Sequence, residues 1–158
     1  MASMLWAITS TSMAASQATA SSGLKVCTAT HVTRQGGTVI RDTVFGLRNP
    51  DETATITIER IQAFGPGGHF LFDSDAFGFP AQPNLNVVLA PHTTSAFSAA
   101  DLTGPLPGTH ETFQVYIHYR LDIPGKPLWV SLSRRTRDDD GYEVTGITGY
   151  CSDMPIEE

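Results

Sequence analysis

The pattern of apolar and polar residues is most regular between Glu111 and Leu121, where the two kinds of side chain alternate one by one. Successive side chains of a β-strand point to opposite faces of a sheet, so this alternation predicts a strand that is buried on one face. The face predicted to be buried consists of Phe113, Val115, Ile117, Tyr119 and Leu121. The face predicted to be exposed consists of Gln114, Tyr116, His118 and Arg120.

The same two-residue period returns at Leu128, Val130 and Leu132, after the turn-forming residues Pro124 to Pro127. Two alternating segments joined by a short turn that contains Gly and Pro favour a β-hairpin. We therefore expect the segment that begins near Leu128 to pair with the strand that ends at Leu121.

A break in the alternation occurs between Ala54 and Phe64. Ile56 and Ile58 share one phase, whereas Ile61 is out of phase with them. A β-bulge adds one residue to a strand and would return Ile61 to the buried face.

Other short segments rich in Val, Ile, Thr, Phe and Tyr are separated by Gly, Pro, Asn and Asp clusters. The further strands are predicted near residues 24–32, 38–47, 54–64, 70–73, 86–89, 95–98 and 142–151. Their number and spacing predict an all-β fold, an immunoglobulin-like antiparallel β-sandwich of about eight to nine strands. We expect one domain over residues 24–152, followed by a flexible acidic tail over residues 153–158.

Residues 1–20 have the composition of a leader. No Asp, Glu, Lys or Arg occurs from Met1 to Gly23, and Ala18-Thr19-Ala20 has the small-x-small form that signal peptidase accepts. The first basic residue is Lys25 and Ser and Thr interrupt the apolar run, so a disordered leader is the alternative to a signal peptide. We expect export to the periplasm or the extracellular medium, with no membrane span in the mature chain.

The chain has two cysteines, Cys27 after the leader and Cys151 near the C-terminal end. In an exported protein, an even cysteine count is most simply explained by a structural disulfide. A bond between these two residues would join the first and last predicted strands.

Several strand and turn segments resemble a family of bacterial exported domains of unknown function, each of which is a small β-sandwich. The segments that carry the resemblance are Val26 to Val32, Phe45 to Asp51, Ile56 to Ile61, Gly65 to His69, Val87 to Pro91, and Phe113 to Val115 leading to Tyr119. The chain departs from the family at residues 107–111, where a Gly-rich turn is expected, and in its two cysteines. The resemblance implies export and a sandwich over Leu24 to Cys151, and it implies no catalytic residue.

Sequence motifs give no support to catalysis. The chain has no Gly-x-Ser-x-Gly elbow, and Gly65-Pro66-Gly67-Gly68 lacks the Lys-Ser/Thr that follows a phosphate-binding loop. The net charge of -6 repels nucleic acid and anionic lipid. We therefore expect a protein that is not an enzyme and has no nucleic-acid partner.

Two groups of residues suggest metal binding as an alternative. The five histidines, His31, His69, His92, His110 and His118, form no His-x-His or His-x-x-x-His pair. The oxygen-rich group Asp138, Asp139, Asp140 and Glu143 has the residue types that bind calcium. Arg134, Arg135 and Arg137 precede these acids, which favours a charge-balanced hairpin tip over a calcium site.

Aromatic residues supply the predicted binding surface. Exposed aromatic side chains on a sandwich can bind a protein or a sugar. The predicted contact residues are Phe77, Phe79, Tyr116, His118 and Trp129, with a loop from Phe77 to Asn84. We interpret the chain as an exported, non-catalytic binding module for a protein or glycan at the cell envelope. The alternatives are a metal-binding protein or metal-dependent enzyme, and a structural subunit of a surface assembly.

We expect the purified protein to hold no stoichiometric zinc or copper by elemental analysis, and to need no calcium. An ion that bound only the folded chain would stabilise it by about 2.7 kcal/mol at 100 times its Kd. The melting temperature should accordingly stay unchanged when calcium is added to millimolar concentration. A metal at one equivalent, or a melting temperature that rises with calcium, would favour the metal alternative.

Overall fold

The computed structural model describes residues 20–33, 39–80, 85–103, 110–138 and 141–155. All strand pairs within these ranges are antiparallel, so the predicted all-β class is confirmed. The strands are β1 (Ser21–Thr33), β2 (Val39–Arg48), β3 (Ile56–Phe64), β4 (Phe70–Asp73), β5 (Val88–Leu89), β6 (Thr94–Ser98), β7 (His110–Leu121), β8 (Trp129–Asp138), β9 (Gly141–Tyr150) and β10 (Ser152–Met154). The single-turn helices are α1 (Ser74–Phe77) and α2 (Ala100–Thr103), and a 3₁₀ turn spans Pro66–Gly68.

The described strands form one open sheet in the order β4-β3-β7-β1-β2-β8-β9. Three further strands lie off this path, because β10 pairs with β1, β5 with β3 and β6 with β2. The immunoglobulin-like sandwich is a more detailed arrangement than this sheet, and it stays a prediction. None of the described helices is long and apolar enough to span a membrane.

Strand β1 connects the two halves of the sheet. It pairs with β7 along its length, from Ser21 opposite Leu121 to Val32 opposite His110. Its pairing with β2 is confined to residues 31–33. Beyond that point β2 pairs with β6, whereas β1 pairs with β10 at residues 24–26. Strands β1 and β2 therefore separate where their short paired segment ends, and each continues beside a different strand.

The predicted hairpin between β7 and β8 is wrong. Strand β7 lies between β1 and β3, and β8 lies between β2 and β9, so neither strand has a free edge for the other. The connection at residues 122–128 instead passes from one half of the sheet to the other. Its backbone is held by Asp51, whose carboxylate accepts a hydrogen bond from the Lys126 N–H at 2.6 Å.

The corner formed by Asn49 and Asp51 organises this connection. The Asn49 amide donates to the carbonyls of Ala54 and Leu89 at 2.8 and 2.9 Å. The Asp51 carboxylate accepts from the N–H groups of Thr53 and Ala54, both at 2.8 Å. These bonds and that from Lys126 stabilise the charged form, so the pKa of Asp51 lies well below its usual range. The buried side chains of Asn49 and Asp51 thus form hydrogen bonds with backbone N–H and C=O groups at this corner.

The core confirms the alternation read from the sequence. All five residues of the predicted buried face of β7 are buried, and so are Leu128, Val130 and Leu132. The register of β3 against β7 shifts between Ile58 and Arg60, which confirms the predicted bulge and lets Ile61 join Ile56 and Ile58 in the core. Other large buried side chains come from β2, β5 and α2 and include Phe45, Leu47, Leu89 and Leu102.

The Cys27–Cys151 disulfide is confirmed, with the two Cα atoms 4.5 Å apart. It joins β1 to the residue between β9 and β10. The adjacent Lys25 is buried and forms an ion pair with Asp153 of β10. The pairing of β1 begins at Ser21 and the pairing of β10 ends at Met154.

Removal of the disulfide should destabilise the fold, because the bond closes a loop with a sequence separation of 124 residues. Chain entropy alone predicts about 4.7 kcal/mol for a loop of this size, and measured losses in small exported domains are about 2 to 5 kcal/mol. We expect a loss in that range for the double variant Cys27→Ser/Cys151→Ser in urea unfolding. The wild-type protein unfolded in a thiol reductant should match the variant, whereas an unchanged midpoint would show that the bond contributes nothing to stability.

Candidate binding surface

Four aromatic side chains form a continuous surface, which we call the aromatic row: Phe64, Phe70, Phe77 and Tyr116. Phe64 contacts Phe70 and Tyr116 edge to face, with ring centroids 6.2 and 5.6 Å apart. Phe77 lies 6.2 Å from Phe70. Phe70 is 50% exposed and Phe77 is 67% exposed, so the row presents two large apolar groups to solvent.

Local structure places each ring of the aromatic row. The 3₁₀ turn reverses the chain between β3 and β4, and its Gly67 and Gly68 adopt φ values of 74° and 79° that favour glycine. The turn makes Phe64 and Phe70 a cross-strand pair. Asp73 caps α1 by accepting a hydrogen bond from the Asp75 N–H at 3.0 Å, and the short helix carries Phe77 back toward Phe70.

A groove of about 580 Å³ lies beside two rings of the aromatic row, Phe64 and Tyr116. Phe64 and Tyr116 line it together with the glycine-rich turn and with polar residues of the neighbouring strands, Thr28, Thr112 and Gln114. The Tyr116 hydroxyl donates a hydrogen bond to the Gln114 amide oxygen at 2.8 Å, which fixes the ring at the groove edge. The groove thus places two aromatic rings beside polar side chains and the backbone of the turn.

A polar network borders the aromatic row. Arg60 donates to both oxygens of Asp73 and lies 3.0 Å from an Asp75 oxygen. The hydrogen bonds from Arg60 hold the pKa of Asp73 well below its usual range, and the same contact raises the pKa of Arg60. Gln62 donates to Asp73 at 3.0 Å, and its amide oxygen lies 3.2 Å from the His118 Nε2. The side chains of the network bond to one another. The exposed apolar area of this surface therefore comes from the aromatic rings.

The predicted contact residues are divided by the structure. Phe77, Tyr116 and His118 lie on or beside the aromatic row. Phe79 is half-buried and packs against the core, and the predicted loop continues to Asn84, which lies outside the described residues. Trp129 is on β8, separated from β7 by β1 and β2 in the strand order, and it belongs to another group.

That second group is the Trp129 cluster, which consists of Arg48, Trp129 and Tyr150 from three adjacent strands. Trp129 stacks on Tyr150 with ring centroids 5.7 Å apart. The guanidinium carbon of Arg48 lies 5.8 Å from the centre of the indole ring, within range of a cation–π interaction. The cluster contains two exposed aromatic rings that are remote from the aromatic row in strand order.

The structure does not bring together those residues of the metal alternative that it describes. Asp138 pairs with Gly141 across the β8–β9 connection, Asp139 and Asp140 lie outside the described residues, and so do the side chains of Asp138, Glu143 and His110. Within the described residues, no three His, Cys, Asp or Glu side chains converge as a metal site. The histidines have separate surroundings: His31 contacts Asp42, His69 contacts the Pro66 carbonyl, His118 contacts Gln62, and His92 lies in a turn with φ of 60°.

A buried polar cluster around Asp42 was not predicted. Its carboxylate accepts hydrogen bonds from the Ala100 N–H at 3.0 Å and from Arg135 at 2.8 Å, and the buried His31 ring lies 3.4 Å away. The cluster joins β1, β2, β8 and α2. These residues are far apart in the sequence, and no local pattern distinguishes a buried Asp from an exposed one.

Phe64, Phe70, Arg48 and Tyr150 were also absent from the predicted binding residues. Phe64 and Phe70 flank the glycine-rich turn, and aromatic residues on both sides of a turn are a signal for a cross-strand pair. Arg48 and Tyr150 become neighbours of Trp129 only through the strand order. The sequence therefore contains a signal for Phe64 and Phe70, but none for Arg48 and Tyr150.

Comparison of the chain with protein-family models, with curated proteins and with solved structures finds no significant match. The resemblance to a bacterial exported family stays a prediction. The functional argument accordingly depends on the surfaces described above.

The polar network should keep His118 neutral over a wider pH range than a free histidine. Burial, followed by the positive charge of Arg60, lowers the pKa of His118 below its ordinary value of 6.5. As the pH falls below 6.5, the His118 ring therefore binds protons in the unfolded chain before it does so in the folded chain. The free energy of unfolding consequently has its full value above pH 6.5 and decreases as the pH falls through the folded pKa of His118.

An NMR titration of the His118 ring should give a pKa below 6.5. The variant Arg60→Gln should raise that pKa, because it removes a positive charge and leaves Asp73 and Asp75 unneutralised. A pKa at or above 6.5 in the wild-type protein would contradict the proposed surroundings of the ring.

Proposed function

We propose that this protein is an exported, non-catalytic binding module, and that it binds a protein partner through the aromatic row. The single observation that carries the proposal is the exposure of Phe70 and Phe77 beside a groove lined by Phe64 and Tyr116. Removing such rings from water on binding is favourable by about 25 cal/mol per Å² of apolar area. Aromatic side chains are also enriched among the residues that dominate protein interfaces.

The surroundings of the row fit a protein interface. Interfaces combine an apolar centre with a polar rim, and the network of Arg60, Gln62, Asp73 and His118 supplies such a rim on one side. Its side chains already bond to one another, so a partner that covers them need not satisfy buried charges. The aromatic centre would then contribute most of the binding free energy.

Export is supported by the disulfide and by the leader composition. Structural disulfides persist in oxidising compartments and are rare in the cytosol. The strand pairing starts at Ser21, directly after the predicted cleavage position at Ala20, so cleavage there would leave β1 whole.

A structural subunit of a surface assembly is a second candidate, because one observation favours it. Strand β9 lies at the end of the strand order and pairs only with β8 among the described strands. A free strand edge can pair with another chain. Light scattering distinguishes this candidate, since a subunit that assembles through β9 forms large, concentration-dependent species.

The proposal can be tested by photo-crosslinking in envelope extract with a benzoyl-phenylalanine at position 77. We expect a discrete crosslinked partner that is lost when Phe70→Ser is added, because the substitution removes the apolar contact next to the probe. The matched control carries the probe at position 88, where Val88 is 48% exposed and lies opposite Thr57, seven residues along β3 from Phe64. Equal labelling from both positions, or labelling unaffected by Phe70→Ser, would show that the row is not the contact surface.

A further inference from the structure

Strand β10 is held on the sheet by the Cys27–Cys151 disulfide and by few other contacts. All three side chains of β10 are exposed, so none of them is anchored in the core. The strand pairs with β1 over residues 24–26 only. The last residues of a domain are poorly ordered unless they are tied down, and a three-residue pairing without buried side chains is a weak attachment. The disulfide is therefore the main attachment of β10.

The disulfide continues the ladder between β1 and β10. The register places Val26 opposite Ser152, so Cys27 and Cys151 are the next pair along the same two strands. Their Cα atoms lie 4.5 Å apart, which is the spacing of a directly opposed pair in an antiparallel ladder. The covalent bond thus keeps residues 152–154 beside β1 at a high effective concentration.

The neighbours of β10 have other partners. Strand β1 pairs with β7 along its length, residues 24–26 included. The Cys151 N–H donates to the Val130 carbonyl at 3.2 Å, so the chain stays attached to β8 as far as Cys151. Detachment of β10 would therefore begin at Ser152 and leave these contacts in place.

The side chain of Lys25 shows whether β10 is in place. It is 7% exposed, and it shares the phase of the buried Cys27 and Ala29 on β1. Its ammonium group forms an ion pair with Asp153 of β10. A buried charge that loses its partner is costly, so the ammonium would turn to water once Asp153 leaves.

We propose that the Cys27–Cys151 bond is a redox switch, whose reduction by a dithiol releases β10 while the rest of the sheet stays folded. One thiolate of the dithiol attacks the sulfur of Cys151, which is less buried than Cys27, and displaces the Cys27 thiolate. The second thiolate attacks the mixed disulfide and displaces the Cys151 thiolate. The dithiol leaves as a disulfide, and its two electrons and two protons are then in the two cysteine thiols.

Release of β10 changes the surface of the molecule at β1. Residues 24–26 keep β7 on one edge and lose their partner on the other. An open strand edge presents unpaired N–H and C=O groups, with which a strand of another chain can pair. The redox state of one bond thus controls whether this edge is covered.

Amine labelling of the full chain tests the switch. The chain has two lysines, Lys25 and Lys126, and the side chain of Lys126 is 58% exposed, so it serves as an internal control. An N-hydroxysuccinimide ester should acylate Lys25 of the oxidised protein about tenfold more slowly than Lys126, because a minor open state is populated to about 10% or less. Mass spectrometry of proteolytic peptides gives both rates.

Reduction should abolish this difference. After treatment with dithiothreitol without denaturant, and removal of the excess by gel filtration without oxygen, the Lys25 rate should rise by about tenfold and the Lys126 rate should stay unchanged. The variant Cys27→Ser/Cys151→Ser should give the same Lys25 rate with no reductant. A chain shortened to residue 151 keeps the disulfide but lacks β10, and Lys25 should react in it as fast as in the reduced protein.

Three results would overturn the inference. Unchanged acylation of Lys25 on reduction means that β10 stays in place without the bond. Equal rates for Lys25 and Lys126 in the oxidised protein mean that β10 does not cover the amine. Loss of the cooperative thermal transition on reduction, followed by circular dichroism, means that the bond holds the whole fold. None of these results bears on the protein partner, because crosslinking at position 77 probes another surface.

Discussion

The pairing of β1 with β7 is the interaction on which the rest of the structure depends. Their register extends from Ser21 opposite Leu121 to Val32 opposite His110 and fixes the middle of the strand order. The other edge of β1 is divided, with β2 at one end and β10 at the other. Since the disulfide also ends on β1, the position of this strand determines where both halves of the sheet and the C-terminal end of the chain lie.

The divergence of β1 and β2 explains why the exposed aromatic residues form two groups. The aromatic row belongs to β3, β4, α1 and β7, and the Trp129 cluster belongs to β2, β8 and β9. Each group is flanked by different polar chemistry. A paired polar network borders the first on one side, whereas the second contains the guanidinium of Arg48, for which the described residues supply no carboxylate partner. The two groups therefore differ in the polar chemistry beside their rings.

Local patterns predicted the parts of the fold that depend on local chemistry. Alternation located β7 and β8 and their buried faces, and the phase change at Ile61 indicated the bulge in β3. Strand partners depend on distant residues, so the hairpin expected after Leu121 did not form. The same limit applies to the site. Trp129 could be recognised as a candidate, but its neighbours Arg48 and Tyr150 are set by strand order and not by spacing along the chain.

The central place of β1 also sets the order of events when the chain is made. This strand is synthesised first, yet Cys27 waits for a partner that follows 124 residues later. At 5 to 20 residues per second, that delay is on the order of ten seconds. During this time one edge of β1 lacks its partner β7 and the other lacks β10, because β2 pairs only with residues 31–33. Formation of the disulfide therefore has to wait until synthesis has reached Cys151.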